Sequence, residues 1–180
     1  MNRNMAGDER DAKLRELILY IAQRSAGDPF FGGIKLNKIL FNADFTSYGR
    51  RREAVTGQEY QRLKNGPAPR RMKPILRDLE DSGDIVMEKV EIGRYTQDRV
   101  IPKREPDLSM LDKADLALVD ESIALIRPMS GSYVSDLSHE FVGWKIVKEG
   151  ETIPYNTVFL SNDPPTENEI KRGVELSNTL

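Results

Sequence analysis

The sequence predicts an α+β fold, in which one predominantly helical domain carries a small β-hairpin. Apolar residues recur at helical spacing in several separate segments, whereas the alternation typical of strands is clear in one short region, 84–103. The 180 residues, of which 38% are hydrophobic, suffice for one well-filled core. We therefore expect residues 1–160 to form a single helical domain and residues 161–180 to form a C-terminal linker and helix.

Two helices are predicted in the first third of the chain. Residues 9–26 carry apolar side chains at helical spacing, with Asp8 as the N-cap and Gly27 as the stop signal. After the loop GDPFFGG, a second helix covers residues 34–48 and ends at Gly49.

The remainder of the chain predicts four more helices and one hairpin. Residues 54–74 are rich in turn signals and are expected to be irregular or extended. A third helix is expected to start between Pro69 and Pro74 and to end at about Ser82, and a hairpin of DIVMEKVEI and RVIPK around the turn GRYTQD follows it. Further helices are expected at 107–127 and 132–141. An extended piece within ETIPYNTVFL comes next, and a last helix runs from the capping box TENE to about Ser177. Asp112 is the expected cap of the helix at 107–127, and Pro74 would kink the third helix if that helix began at Pro69. A hairpin directly after the third helix makes the predicted fold winged-helix-like in part.

The second helix carries one carboxylate, Asp44, on its apolar side. Two apolar stripes flank it, formed by Leu36, Ile39, Leu40 and Ala43 and by Phe41, Phe45 and Tyr48. We expect Asp44 to be at least half covered, and a covered carboxylate without a donor costs several kcal/mol. Asp44 is therefore expected to bind the nearby basic turn or backbone N–H groups close to it. The opposite arc, with Lys35, Lys38 and Asn42, is expected to face solvent.

Charge is distributed unevenly along the chain. The net charge is -2, but the segment from Arg50 to Arg77 contains nine basic and two acidic residues. This asymmetry suggests a charged partner, although a basic face that only balances the acidic parts of the protein is an equal alternative.

Composition excludes several classes of protein and of site. The chain has no cysteine and one histidine, His139, so we expect neither disulfides nor a zinc site. Neither a P-loop nor a G-x-G-x-x-G motif occurs, and no cofactor is expected. The absence of a long apolar run and of a visible signal peptide leads us to expect a cytoplasmic protein that does not bind membranes.

Five pieces of the sequence, in order, resemble one known family. These pieces are KLNKILFNADF, VTGQEYQRLKNGPAP, LRDLEDSGDI, SDLSHEFVGW and GETIPY, and they extend over roughly 34–155. Their order and spacing are similar to those of the Panacea-domain antitoxins, also called SocA-like proteins. The resemblance implies a small bacterial or phage-borne protein that neutralises a toxin encoded beside it by binding that toxin. In one relative the antitoxin instead presents the toxin to a protease, so a protease is a second implied partner.

The first functional hypothesis is accordingly a protein-binding antitoxin. Arginine and aromatic side chains are common anchors of protein interfaces. The candidate partner-binding residues are Lys38, Tyr48, Tyr60, Arg70, Arg71 and Lys73. The residues expected to have structural roles in the motif are Asp44, Gly66, Pro67, Pro69, His139 and Trp144. In this hypothesis Asp44 and Tyr48 hold the basic turn, residues 65–71, which presents Arg70 and Arg71. The alternative for the two tyrosines is that they line the core.

The second hypothesis is a DNA-binding regulator of the winged-helix type. Arg70, Arg71, Lys73 and Arg77 would then lie on or before the recognition helix and contact phosphates. The prolines at 67, 69 and 74 and the acidic residues at 78, 80 and 81 argue against this hypothesis.

The third hypothesis is an enzyme built on His139, with Asp136 or Glu140 and with one of the serines Ser130, Ser132, Ser135 and Ser138. No G-x-S-x-G motif accompanies these residues, and neighbouring residues on a helix point in different directions. We therefore predict no catalytic residues and expect His139 to form a hydrogen bond within the fold near Trp144.

Overall fold

A computed structural model of the protein describes residues 2–177, except for the side chains of residues 2–6, 173 and 176. Seven α-helices lie in the described part: α1 Asn2–Arg24, α2 Gly33–Arg51, α3 Met72–Asp81, α4 Lys113–Ile126, α5 Gly131–His139, α6 Val142–Ile146 and α7 Glu167–Ser177. Five strands accompany them: β1 Tyr60–Gln61, β2 Ala68–Pro69, β3 Ile85–Ile92, β4 Tyr95–Pro102 and β5 Thr152–Ile153. A 3₁₀ turn covers Tyr155–Phe159. The predicted α+β class, with a predominance of helix, is confirmed.

The core forms around α2, which packs against α1, α4 and α5. Apolar side chains of α1, α2 and α3 meet there at helical spacing, and the inner faces of α4 and of the hairpin close the core. Its most deeply buried members include Leu14, Leu17, Ile18, Leu19, Ile21, Leu36, Ile39, Leu40, Ile75 and Leu79. Since α2 is covered on several sides, its sequence had to supply more than one apolar stripe, as predicted.

Two small antiparallel sheets complete the fold. The hairpin β3–β4 pairs Ile85 with Pro102 and Ile92 with Tyr95, so its turn is only Gly93–Arg94 and is shorter than the predicted turn. The other sheet has the order β2–β1–β5 and was not predicted as a sheet. Its strands are two residues long, which is too short for an alternating pattern to identify them.

The first helix begins before its predicted start, and the second continues beyond its predicted end. Asp8 lies inside α1 and is not its N-cap, and α1 ends at Arg24, before the predicted stop Gly27. Likewise, α2 continues through Gly49, and Arg52 ends it in the left-handed conformation, at φ 64°. Gly49 lies inside α2 and does not stop it, and a Cβ at this position would make an ordinary contact with the Val158 side chain, at 3.4 Å.

The starts of the other helices can be compared with the caps predicted for them. The helix α3 begins at Met72, so Pro74 falls in its first turn, where a missing N–H does no harm, and no kink is expected. Asp112 caps α4 in a capping box with Asp115, as predicted, although residues 107–111 precede the helix. Ser130 caps α5, and the Thr166–Glu169 capping box precedes α7 as predicted. The helix α6 was not predicted.

The C-terminal segment extends outward from the core. From Phe159 to Ser177 every residue with a described side chain is exposed, including the apolar Ile170 and Val174. The last three residues of the expected unit 161–180 lie outside the described part. None of the helices in the described part is long and apolar enough to cross a membrane.

Candidate functional site

The buried carboxylate of Asp44 lies at the centre of a hydrogen-bond network. Its side chain is 0% exposed. Oδ1 accepts the backbone N–H of Thr56 at 2.6 Å, and Oδ2 accepts the hydroxyls of Thr56 at 2.5 Å and Tyr60 at 2.6 Å. Burial raises the pKa of Asp44, and the hydrogen bonds from Thr56 and Tyr60 partly oppose this increase. The expected covering of Asp44 is confirmed, but its donors belong to the Thr56–Gly57 turn and to Tyr60 and not to the basic turn.

Aromatic rings surround this network. The rings of Phe41 and Phe45 each lie 5.5 Å from the ring of Tyr60, in edge-on orientation, and Tyr155 lies 4.7 Å from Phe45. Burial raises the pKa of both Tyr60 and Tyr155. Tyr60 is 1% exposed and donates its hydroxyl to Asp44. It therefore offers no surface for a partner to contact, contrary to the expectation, because its ring is part of the core.

A chain of hydrogen bonds connects the network to the protein surface. The hydroxyl of Thr56 accepts the N–H of Gln58 at 3.1 Å, and Nε2 of Gln58 donates to Asp11 at 2.9 Å. Asp11 also accepts a hydrogen bond from Nε of Arg71 at 2.9 Å. Burial alone would raise the pKa of Asp11, but the hydrogen bonds from Arg71 and Gln58 outweigh it and hold this pKa below its usual value. Arg71 is thus oriented by contacts that lead back to Asp44.

The basic turn is fixed by contacts with α2 and α5. Nζ of Lys38 donates to the carbonyl of Pro67 at 3.0 Å, and the Ser135 hydroxyl donates to the carbonyl of Asn65 at 3.1 Å. Gly66 has φ +89°, and a Cβ at this position would lie 2.1 Å from Oγ of Ser138. Lys38 and α5 therefore hold the turn, in place of Asp44 and Tyr48.

Both lysines of α2 that were expected to face solvent are buried. Lys38 is 3% exposed and Lys35 is 0% exposed. The Lys35 ammonium lies 2.5 Å from the Asp28 carboxylate in the loop before α2. Burial lowers the pKa of Lys38 to about 7. The expectation that Lys38 binds a partner directly does not fit this position, because the basic turn and α5 cover its side chain.

The cations at the end of the basic turn remain at the surface. Gly66, Pro67 and Pro69 are buried, whereas Arg70, Arg71 and Lys73 are exposed. We call these three residues the cationic surface. Arg70 donates to the carbonyl of Gly150 at 2.7 Å and to Thr152. Lys73 makes no hydrogen bond or ion pair with the residues that the structure describes.

The cationic surface borders an open cleft of about 360 Å³ between α1 and the residues that precede β1 and follow β2. Arg70 and Arg71 line this cleft together with Arg10, Asp8 and Glu59. Its walls therefore carry both signs of charge.

Tyr48 lies against the C-terminal segment. Its ring stacks on Tyr155, with 5.2 Å between centroids, and lies 6.1 Å from the ring of Phe159. The Arg52 guanidinium covers Phe159 at 3.6 Å. Tyr48 is half-buried, and its ring contacts are to the 3₁₀ turn, so the expected role of holding the basic turn falls to other residues.

His139 and Trp144 form a stacked pair. Their rings lie 4.2 Å apart at 22°, and Arg62 covers the Trp144 ring at 3.9 Å. Nε2 of His139 is buried and has no hydrogen-bond partner among the described residues, so the expected hydrogen bond is replaced by stacking. The Ser138 hydroxyl donates to the carbonyl of Ser135. In the part that the structure describes, no hydrogen bond links His139 to a serine or a carboxylate, and no group of three or more acidic or histidine side chains is placed to hold a metal ion.

Comparison with known families identifies the chain. A family model described as "Antitoxin SocA-like, Panacea domain" matches residues 36–145, which is more than half of the sequence. The chain belongs to this antitoxin family. The matched region of this Panacea-domain chain includes Asp44 and its donors, the basic turn, the hairpin and α5, whereas α1, β5 and α7 lie outside it. No curated protein and no solved structure matches the chain.

Sequence reasoning missed several residues of this site. Thr56 carried a signal, because Thr-Gly was recognised as a turn and as part of the family pattern. No pattern in the sequence distinguished Asp11 and Gln58 from the many other polar residues. Ser135 and Ser138 were considered only as nucleophiles, and their actual contacts are with the basic turn and with α5 itself.

Proposed function

We propose that this Panacea-domain protein is a cytoplasmic antitoxin that neutralises a cognate toxin by direct protein–protein binding, without catalysis. Membership of the SocA-like antitoxin family supports this class of function. The binding surface in this proposal includes Arg70, Arg71 and Lys73.

The observation that carries the proposal is that Arg70 and Arg71 are exposed and are already held in place by hydrogen bonds. Arg71 is oriented by Asp11, and Arg70 by Thr152 and the carbonyl of Gly150. A partner that binds guanidinium groups already held in place loses less conformational entropy on association. Arginine is also enriched among the residues that dominate binding energy, so a rigid exposed pair is a suitable anchor for another protein.

The other residues first considered as contacts have supporting roles in this proposal. Lys38 fixes the basic turn from behind, and Tyr60 fixes Asp44 and hence the Thr56–Gly57 turn. Tyr48 lies beside the 3₁₀ turn and supports the C-terminal segment, which is a second exposed region for toxin contact.

The test is co-purification with the product of the adjacent gene and rescue of growth when that gene is expressed. The double variant Arg70→Ala and Arg71→Ala is expected to weaken toxin binding at least tenfold, because each hot-spot arginine typically contributes more than about 1 kcal/mol. Arg77→Ala is the matched control, since Arg77 is an exposed arginine of α3 outside the cleft. Recovery of no neighbouring gene product, together with no change in viability, would refute the antitoxin function.

Two further experiments distinguish toxin occlusion from presentation to a protease and from DNA binding. Toxin levels measured with and without this protein in protease-deficient cells distinguish occlusion from presentation to a protease. DNA binding is the alternative favoured by the order of α3 and the β3–β4 hairpin and by exposed Lys73 and Arg77. Binding to its own promoter that weakens steeply as salt rises would support that alternative.

A further inference from the structure

The helix α2 buries two lysines one turn apart, and their partners differ. Lys35 forms an ion pair with Asp28 and also donates to the carbonyl of Arg127. Lys38 donates only to the carbonyl of Pro67 and has no carboxylate within ion-pair distance among the described residues. The same helix therefore contains a neutralised lysine and an uncompensated one.

No charged group compensates the amine of Lys38. The elements packed around it are α2 itself, the basic turn and α5. The titratable side chains on and beside these elements are engaged elsewhere or exposed: Lys35, Asp44, Tyr48, Arg50, Arg51, Lys64, Arg70, Arg71, Tyr133, Asp136, His139 and Glu140. In agreement with this, burial is the cause of the lowered pKa of Lys38, at about 7, with no contribution from a neighbouring charge.

The two protonation states of Lys38 do not fit the site equally. An ammonium has three donors and a full charge, whereas the site supplies one carbonyl oxygen. A neutral amine needs only that one hydrogen bond, and it avoids the cost of burying an unpaired charge. The observed geometry therefore favours the neutral amine.

The basic turn is packed closely around the Lys38 amine. Gly66 has φ +89° and is packed so tightly that a Cβ there would lie 2.1 Å from Oγ of Ser138 and 2.7 Å from Nζ of Lys38. The ammonium can gain solvation only by leaving this position, and its departure releases the carbonyl of Pro67. Around Gly66 the turn then keeps one hydrogen bond from another element, that of Ser135, whereas the pairing of β2 with β1 and the contacts of Arg70 and Arg71 hold its other end.

We propose that Lys38 is a positioning residue whose neutral amine locks the basic turn, and that protonation of this amine unlocks the turn and weakens toxin binding. The part concerning toxin rests on the proposed function, whereas the lock itself does not.

The sign of the pH dependence follows from linkage. When the turn is open, Lys38 has the ordinary lysine pKa of about 10.4. When the turn is closed, the pKa of Lys38 is about 7. Between these values the open state binds more protons, so closing becomes more favourable as pH rises, by about tenfold per unit well above pH 7. Below pH 7 both states are protonated and the dependence disappears.

Hydrogen exchange of the Gly66 amide tests the lock on the full chain without any toxin. This N–H donates to the carbonyl of Leu63, just before the turn, at 2.9 Å. After correction for the intrinsic exchange rate, its protection is expected to rise about tenfold from pH 6 to pH 8 and again about tenfold from pH 8 to pH 9. In Lys38→Met the protection is expected to be independent of pH. A flat profile in the wild type, or an unchanged slope in Lys38→Met, would overturn the lock.

A second measurement covers the case in which Lys38→Met does not fold. The side-chain resonances of Lys38 in the wild-type protein are expected to titrate near pH 7, and titration near the ordinary value would overturn the proposal. His139→Gln is the control, because His139 is the one histidine of the sequence and lies on α5, and this variant is expected to keep the wild-type exchange profile. A flat profile in His139→Gln would assign the pH dependence to His139 and overturn the role of Lys38.

Toxin affinity at pH 6 and at pH 8 tests the coupling. Wild-type affinity is expected to be weaker at pH 6, by up to about tenfold, and the difference is expected to vanish in Lys38→Met. Absence of toxin binding at every pH would overturn the proposed function and leave the exchange result to decide the lock. If toxin affinity is the same at pH 6 and pH 8 while hydrogen exchange depends on pH, only the coupling between the lock and toxin binding is overturned.

Discussion

Replacing Asp44 is expected to destabilise the whole fold and not only one contact. Asp44→Ala removes the acceptor of three hydrogen bonds, from the N–H and hydroxyl of Thr56 and the hydroxyl of Tyr60, in a site that is 0% exposed. Each buried donor left without a partner costs about 1–3 kcal/mol, and the truncated side chain adds a small cavity. Since burial raises the pKa of Asp44, removal of the charge returns part of this energy.

We therefore expect a net loss of about 3–5 kcal/mol in the free energy of unfolding. For a chain of this length, such a loss lowers the melting temperature by roughly 10 °C. Asp44→Asn keeps the volume and one acceptor oxygen and carries no charge, so its loss is expected to be smaller, at about 1–3 kcal/mol.

Thermal and urea unfolding followed by circular dichroism at pH 7 measures both variants. Asp136→Ala is the matched control, because this aspartate is exposed and its loss is expected to change stability by less than about 0.5 kcal/mol. If Asp44→Ala melts at the wild-type temperature, the hydrogen-bond network does not hold the fold and the reasoning is wrong.

Three further predictions concern other positions. Lys35→Met leaves Asp28 buried without its partner and is expected to lower the free energy of unfolding by about 3–5 kcal/mol, measured by urea unfolding. A variant as stable as wild type would show that the ion pair contributes nothing to stability. Gly66→Ala introduces a Cβ at positive φ against Ser138, so a loss of about 2–4 kcal/mol is expected in the same assay, and retention of wild-type stability would contradict the tight packing of the turn. Truncation after Leu160 removes only exposed residues of the described part, so the melting temperature is expected to stay within about 2 °C of wild type, and a larger drop would mean that α7 supports the domain.

Local elements of the fold were largely readable from the sequence. The caps Asp112 and Thr166 bond to backbone groups a few residues away, so their function needs no distant contact and the prediction succeeded. The hairpin strands were also recognised, because β3 and β4 are adjacent in sequence and alternate in polarity. The start of α1 and the end of α2 were missed, since Asp8 was taken as a cap and Gly49 as a stop, whereas both residues lie inside their helices.

The candidate site was readable only in part. Asp44 was recognised as buried because its neighbours on α2 form two apolar stripes. Its donors were assigned to the wrong turn, since periodicity along one helix does not reveal which distant segment approaches it. The same limitation left Tyr60 open between a partner contact and a position in the core, and in the structure it packs in the core against Phe41 and Phe45.

The order of residues alone was enough to predict a helical α+β domain with a hairpin, a covered acid on its second helix and a concentration of positive charge after that helix. These properties depend on residue order and on short-range hydrogen bonding. Only the tertiary structure decided that Lys38 is buried, that the basic turn rests on α5, and that Arg71 is oriented through Asp11. Those outcomes depend on segments far apart in the chain, and a helix surface with lysines looks solvent-facing until another part of the chain packs over it.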